Sequence, residues 1–209
     1  MKKDKIKEIY KNLIVIIIST AFLISILALI YNYTKDKILI NETLFKKKAV
    51  LLAAGFALPD KNQDILNIYN QSIEELGIKN NVEIFRYKNL ALKDEDLFSK
   101  GYVIVLTGSG LWGEITMALA FGKDLKTIAG IEFISQNETP GLGGRIVEPW
   151  FKRQFKGKIN ITNIVEEKQK AAENEISAIT GATNTTKYVL KIIENGKKYL
   201  EQFNLSKFE

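Results

Sequence analysis

The run Thr180-Gly181-Ala182-Thr183-Asn184-Thr185-Thr186 gathers four hydroxyl side chains around one glycine, immediately ahead of a helical pattern. Tyr188, Val189, Ile192 and Ile193 follow at the spacing of one helix face, and Gly196 fits a C′ residue closing it. A helix start leaves backbone N–H groups unpaired and carries a partial positive charge, which favours an anion such as a phosphate. Threonine is equally an ordinary N-cap residue. Taken alone, the run therefore supports either a plain cap or a phosphate site.

Two further segments carry the residue types that hold a flat or phosphorylated ligand. Glu138-Thr139-Pro140-Gly141-Leu142-Gly143-Gly144-Arg145 puts three glycines in four positions, interrupted by an apolar side chain and framed by opposite charges. Glycines permit a tight path and close approach. Glu138 could accept hydrogen bonds from a cofactor, and Arg145 could offset a phosphate charge. The other reading of this segment is a mobile surface turn. Gly108-Ser109-Gly110-Leu111-Trp112-Gly113 is the second segment. Trp112 is either a core aromatic or a lid on a cofactor ring, and Glu114 reads as a solvated strand-edge residue. The Glu138–Arg145 loop is not a Rossmann fingerprint, because the preceding strand is not followed by a glycine-rich turn into a long helix.

The chain has no cysteine and no histidine. Disulfides, thiolate-held iron–sulfur clusters, thiol nucleophiles and Ser–His–Asp catalysis are excluded, and the usual haem and zinc ligands are missing. A redox role would need an organic cofactor or a metal held by oxygen. The pattern assigns no residue a catalytic or metal-ligating role.

The positioning elements begin with an anchor. No charged residue occurs from Asn12 to Thr34, and Leu13 to Ile30 is apolar except for Ser19, Thr20 and Ser25. Eighteen residues at about 1.5 Å each give roughly 27 Å of helix, close to a bilayer's hydrocarbon thickness. The run ends in Ala28-Leu29-Ile30-Tyr31-Asn32-Tyr33, bulky where a signal-peptide cleavage site wants small residues, so the expectation is an uncleaved transmembrane helix. Lys2, Lys3, Lys5, Lys7 and Lys11 precede it and favour a cytoplasmic N-terminus. The expected division is a basic head over 1–12, a transmembrane helix over 13–34 and an exported domain over 35–209. The head's net +3 leaves only +3 of the formal +6 for the remainder, an ordinary surface that argues against a nucleic-acid partner.

Within the exported part, Asn41 to Phe56 reads as a helix weakened at its end by Gly55 and Pro59, and Gln63 to Leu76 as another stopping at Gly77. Val82 to Tyr87 reads as a short strand. Tyr102 to Leu106, the alternating Ile115 to Phe121, and Thr127 to Ser135 predict an antiparallel meander. Pro149 introduces a short helix carrying Trp150, Phe151 and Phe155. The fold class is α+β: one domain behind a single transmembrane helix.

Together these motifs resemble the FMN-binding domain family. The likeness is to the subunit designated C of the sodium-translocating NADH:quinone reductase, with the subunit designated G of the Rnf electron-transport complex a near relative. The resemblance runs through the anchor, Lys48-Ala49-Val50-Leu51-Leu52-Ala53-Ala54-Gly55, Gly110-Leu111-Trp112-Gly113, Glu138-Thr139-Pro140-Gly141-Leu142-Gly143 and Thr180-Gly181-Ala182-Thr183. It implies FMN esterified through its phosphate to Thr183. Thr180, Gly181, Ala182, Glu138, Thr139, Gly141, Leu142, Gly143 and Trp112 would surround it. Ser177 stands where the family commonly has an acid, and Gln136-Asn137 where it often has His-Gly. The resemblance further implies a covalent-FMN electron carrier in an inner-membrane, sodium-coupled NADH:quinone reductase, matured by a separate flavin transferase. Its partners would be other subunits and membrane lipid, with the flavin domain on the outer or periplasmic side. The Rnf-type ferredoxin-linked subunit is the alternative, and a cofactor-free membrane-anchored assembly module the alternative of another class.

Overall fold

Five strands follow one another into an antiparallel meander in the order β1-β2-β3-β4-β5. They are β1 (Ile73–Lys79), β2 (Val82–Lys88), β3 (Lys100–Ser109), β4 (Glu114–Gly122) and β5 (Ile128–Ser135). The computed structural model describes residues 2–167 and 171–203. Alternation along β3 and β4 feeds two cores rather than one. Ile104, Leu106, Ile115, Met117, Leu119 and Phe121 face one side, whereas Val103, Val105, Ala118 and Ala120 face the other. Both faces are covered, so even the alternate positions of these strands are apolar.

The helices are α1 (Lys2–Ala53), α2 (Asn62–Ser72), α3 (Pro149–Arg153) and α4 (Thr183–Gln202). The last turn of α1, from Ala49 to Ala53, and Ala54 just after it pack with Ile65 and Tyr69 of α2 against the Val103 face. Phe151 of α3, Phe155, and Val189, Ile192, Ile193 and Leu200 of α4 fill the Ile104 face. A short parallel pair, β6 (Asn163–Val165) and β7 (Glu175–Ser177), leads toward α4 and contributes Ile176 to the same core. The α+β class, the meander and the Trp150 helix agree with the sequence reading.

Three expectations change. The membrane helix and the helix from Asn41 are one continuous element, because nothing between Lys35 and Asn41 is a glycine or proline that would break it. Helix α2 stops at Ser72, and Ile73 and Leu76 belong to β1, where pairing with β2 overrides the helical spacing that runs on from Tyr69. Helix α4 passes through Gly196 and ends at Gln202. Gly196 serves close packing: a Cβ there would lie 2.9 Å from Ile104 Cδ1 and 2.9 Å from Leu119 Cδ2.

The chain divides into residues 1–43 and 44–209. In the first unit, Lys7–Lys35 is long and apolar enough to cross a membrane, with none of its most apolar window buried. Three of its hydroxyls, those of Ser19, Ser25 and Thr34, bond to their own helix: Ser25 Oγ donates to the Ala21 carbonyl at 2.8 Å and Thr34 Oγ1 to that of Ile30 at 2.9 Å. Polar groups satisfied in this way suit a lipid environment. The side chains of Lys2, Lys3 and Lys5, on which the orientation argument rests, lie outside the described residues.

Gly196→Val should therefore destabilise the domain by about 1–3 kcal/mol through overpacking against β3 and β4. Urea unfolding of the detergent-solubilised chain measures it, and unchanged stability would contradict the close α4–sheet contact.

Candidate functional site

One buried carboxylate assembles the three motif segments. Glu138 follows β5 in the loop to α3 and is only 4% exposed. Its Oε1 accepts from the backbone N–H of Leu111 at 2.7 Å and of Trp112 at 3.1 Å. Its Oε2 accepts from Thr185 Oγ1, in the first turn of α4, at 2.6 Å. The β3–β4 turn, the glycine loop and the helix start thus meet at one side chain. Charge-assisted bonds of this kind are short and among the stronger ones.

The glycines around Glu138 make this possible. A Cβ on Gly143 would fall 2.6 Å from Thr185 Oγ1 and 2.8 Å from Glu138 Oε2. One on Gly110 would fall 2.5 Å from Glu138 Oε1. The Thr139 carbonyl accepts from Leu142 N at 3.1 Å and Gly144 N at 2.9 Å, which folds the loop into a tight turn. Gln136, in the place of the family's common histidine, accepts from the Glu138 N–H at 2.6 Å.

Helix α4 opens at Thr183 after Ala182, and no side chain caps it. Thr183, Asn184 and Thr180 are exposed. Gly181 has φ +75°, a left-handed conformation that suits glycine, and a Cβ there would come within 3.1 Å of Leu142 Cδ2. Leu142 therefore lies beside the helix start. Trp112 is 70% exposed, Leu111 44% and Leu142 44%. Exposed apolar side chains on segments tied to one carboxylate make a surface that a flat, partly apolar ligand can cover.

The structure shows how several of these side chains are engaged, and it separates the two readings of Trp112. Trp112 is not a core aromatic. Thr185 is buried and bonds to Glu138 rather than capping α4. Both Glu138 oxygens are taken by protein donors. Arg145 is held by carboxylates: Nη1 and Nη2 reach Glu167 at 3.1 and 3.0 Å, and Nε reaches Glu148 at 3.2 Å. Trp150 lies 5.6 Å from its guanidinium and donates its indole N–H to Glu148. Arg145 is thus already paired with two carboxylates. Ser177, where the family commonly has an acid, donates its N–H to Gln154 Oε1 at 2.7 Å.

Glu167 is a neighbour of the candidate site that sequence reading missed. Besides Arg145 it accepts from the Thr180 N–H at 2.7 Å, and so fixes the chain just ahead of Gly181. In the sequence it is one of two adjacent glutamates, with no local signal of a distant partner. The Arg145 and Thr180 bonds to its charged form hold its carboxyl down at about 2.

Thr185→Val keeps the shape but removes the donor to a buried carboxylate oxygen. It should cost about 1–3 kcal/mol, whereas Thr183→Val at an exposed position should stay within about 0.5 kcal/mol. Equal losses in urea unfolding would contradict the Glu138–Thr185 link. Because Glu167 titrates lower when folded than its ordinary 4.5, the unfolded chain binds the proton first. Its contribution is complete above about pH 4.5 and is lost as pH falls toward 2. Glu167→Gln should flatten that part of the acid-unfolding curve, and a curve unchanged in shape would refute the clamp.

The FMN-binding domain family has a model that matches residues 110–198, which begins at the β3–β4 turn and ends within α4. In Vibrio vulnificus, the subunit designated C of the Na(+)-translocating NADH-quinone reductase is 30% identical over 132 residues, covering 56% of this chain and 50% of that protein. The chain spans about half the length of the first such relatives it matches. In Methanosarcina acetivorans, the subunit designated G of an ion-translocating oxidoreductase complex is 25% identical over 194 residues, covering 93% of this chain and 95% of that one. The crystal structure of the NADH-quinone reductase relative from Parabacteroides distasonis superposes with a TM-score of 0.54 at 25% identity, over 78% of this chain and 95% of that one. The motif resemblance, the family match and the fold agree: the chain is related to these two kinds of redox-complex subunit, and its FMN-binding domain match spans residues 110–198.

Proposed function

We propose that this chain is an electron-carrying subunit of an ion-translocating membrane redox complex, with FMN joined through its phosphate to Thr183 Oγ1. The observation that carries the reading is the position of Thr183. It is exposed, opens an uncapped helix directly after Gly181-Ala182, and lies beside the Leu142 loop that Glu138 ties to Trp112. The first-turn N–H groups of α4 suit a phosphate ester there. Thr180, Gly181 and Ala182 shape the approach. Thr139, Gly141, Leu142 and Gly143 form the loop wall, and Trp112 and Leu142 offer apolar contact to a ring. Glu138 acts from beneath by holding the segments together. Bound FMN supplies electron transfer; the chain's own residues position it and shape its surroundings.

The relatives' names support assembly with other redox subunits. Helix 13–34 would anchor the chain in the cytoplasmic membrane, with the head 1–12 inside and the domain 35–209 outside, where a covalent bond prevents loss of FMN by dilution. A separate flavin transferase would install it. On motifs, the first reading is the sodium-translocating NADH:quinone reductase type. The alignment with the Methanosarcina acetivorans protein along nearly the whole of both chains favours the Rnf-type subunit as a second reading.

Coexpression with a flavin transferase should yield one FMN phosphoryl adduct on the peptide containing Thr183, and Thr183→Val should abolish it while the fold survives. Peptide mass analysis decides. An adduct on Thr180, Thr185, Thr186 or Thr139 would show the anchor to be wrong.

A further inference from the structure

A cleft of about 740 Å³ opens at the end of the sheet where α2 passes into β1, β2 ends and β3 begins. Lys100 starts β3 at the cleft, and the loop carrying Trp112 follows the other end of the strand. At ten residues, β3 spans about 30 Å. Arg86, Lys88, Lys100 and Lys123 line the cleft against one carboxylate, Glu74.

Two of these cations are already engaged. Arg86 Nε and Nη2 donate to Glu74 Oε2 at 2.9 and 2.6 Å, and Arg86 also bonds to Tyr102. Lys123 Nζ donates to the carbonyls of Asp94 and Glu95 at 3.3 and 2.9 Å. Nearby Asp96 and Asp124 accept from the backbone of their own loops. Lys88 and Lys100 differ from these. They are direct partners in the β2–β3 register, both are exposed, and neither ammonium group has an ion-pair or hydrogen-bond partner among the described residues. Like charges directly opposite across two strands destabilise a sheet unless something of the other sign lies between them.

We propose that this cleft binds a small phosphate-bearing anion of multiple charge, whose oxygens bridge the Lys88 and Lys100 ammonium groups. Cross-strand partners have Cβ atoms about 4.5–5.5 Å apart, so two flexible lysines can converge on one phosphate. The volume falls within the roughly 300–1,000 Å³ of small-ligand sites, and half-buried Tyr102 adds an aromatic wall. A concave site of this size suits a small molecule better than a flat protein face. The site is separate from Thr183 and does not depend on the flavin reading.

The test titrates sodium pyrophosphate into the detergent-solubilised full chain at low salt, followed by calorimetry and thermal unfolding. Saturable binding is expected, weakened about tenfold or more by Lys88→Gln or Lys100→Gln and unchanged by Lys191→Gln. Without the anion, Lys88→Gln should raise Tm by about 1–3 °C by relieving the repulsion. Pyrophosphate should then raise the Tm of the unsubstituted chain but not of that variant. Absence of saturable binding, or binding by the Lys88 and Lys100 variants as tight as that of the unsubstituted chain, would overturn the proposal.

Discussion

The arrangement around Thr183 depends on the burial of one carboxylate. A charged group removed from water is tolerated only when donors replace its hydration, and Glu138 recruits them from two distant segments. Two are backbone N–H groups in the β3–β4 turn and one is the hydroxyl of Thr185, 47 positions along the chain. The requirement works in both directions. The carboxylate needs these segments, and the segments take their mutual positions from it. Gly110 and Gly143 leave space for its oxygens where any side chain would intrude.

The rest of the fold gives that junction fixed walls. A sheet covered on both faces cannot shift its register without turning apolar side chains out of one core or the other. The β3–β4 turn therefore emerges at a set place. Helix α4 is held down by Val189, Ile192 and Ile193, and by the absence of a side chain at Gly196. Glu167 then fixes the approach to α4 through Thr180, with Arg145 as its counter-charge. Thr183 is exposed, yet the segments on either side of it are anchored.

Much of this is legible in the sequence because it is local. The alternation of Ile115, Met117, Leu119 and Phe121 marks a strand, and the glycine clusters mark the loops. What escapes is pairing at a distance. Ile73 and Leu76 extend a helical pattern from Ile65 and Tyr69, and only the ladder with β2 makes them a strand. Gly196 looks like a helix end because local rules do not register a sheet pressed against it. Glu138 looks like a ligand-facing acid and Arg145 like a phosphate-facing cation for the same reason. Their partners, Thr185 and Glu167, lie 47 and 22 positions away.

The charge balance around α4 bears on how a cofactor would be held. Arg145, the cation of the glycine loop, is committed to Glu148 and Glu167. Glu138 places a negative charge at the first turn of α4, where it already draws on the positive end of the helix dipole. A phosphate at Thr183 would share that field with a carboxylate, and Lys187, one turn further along, is exposed to solvent. Electrostatic attraction at such a surface is screened within about 8–10 Å at ordinary ionic strength. Leu111, Trp112 and Leu142 offer apolar contact but themselves remain substantially exposed. A site with these resources would orient a flavin better than it would retain one. An ester bond through Thr183 would supply the retention, leaving the weak contacts to set orientation.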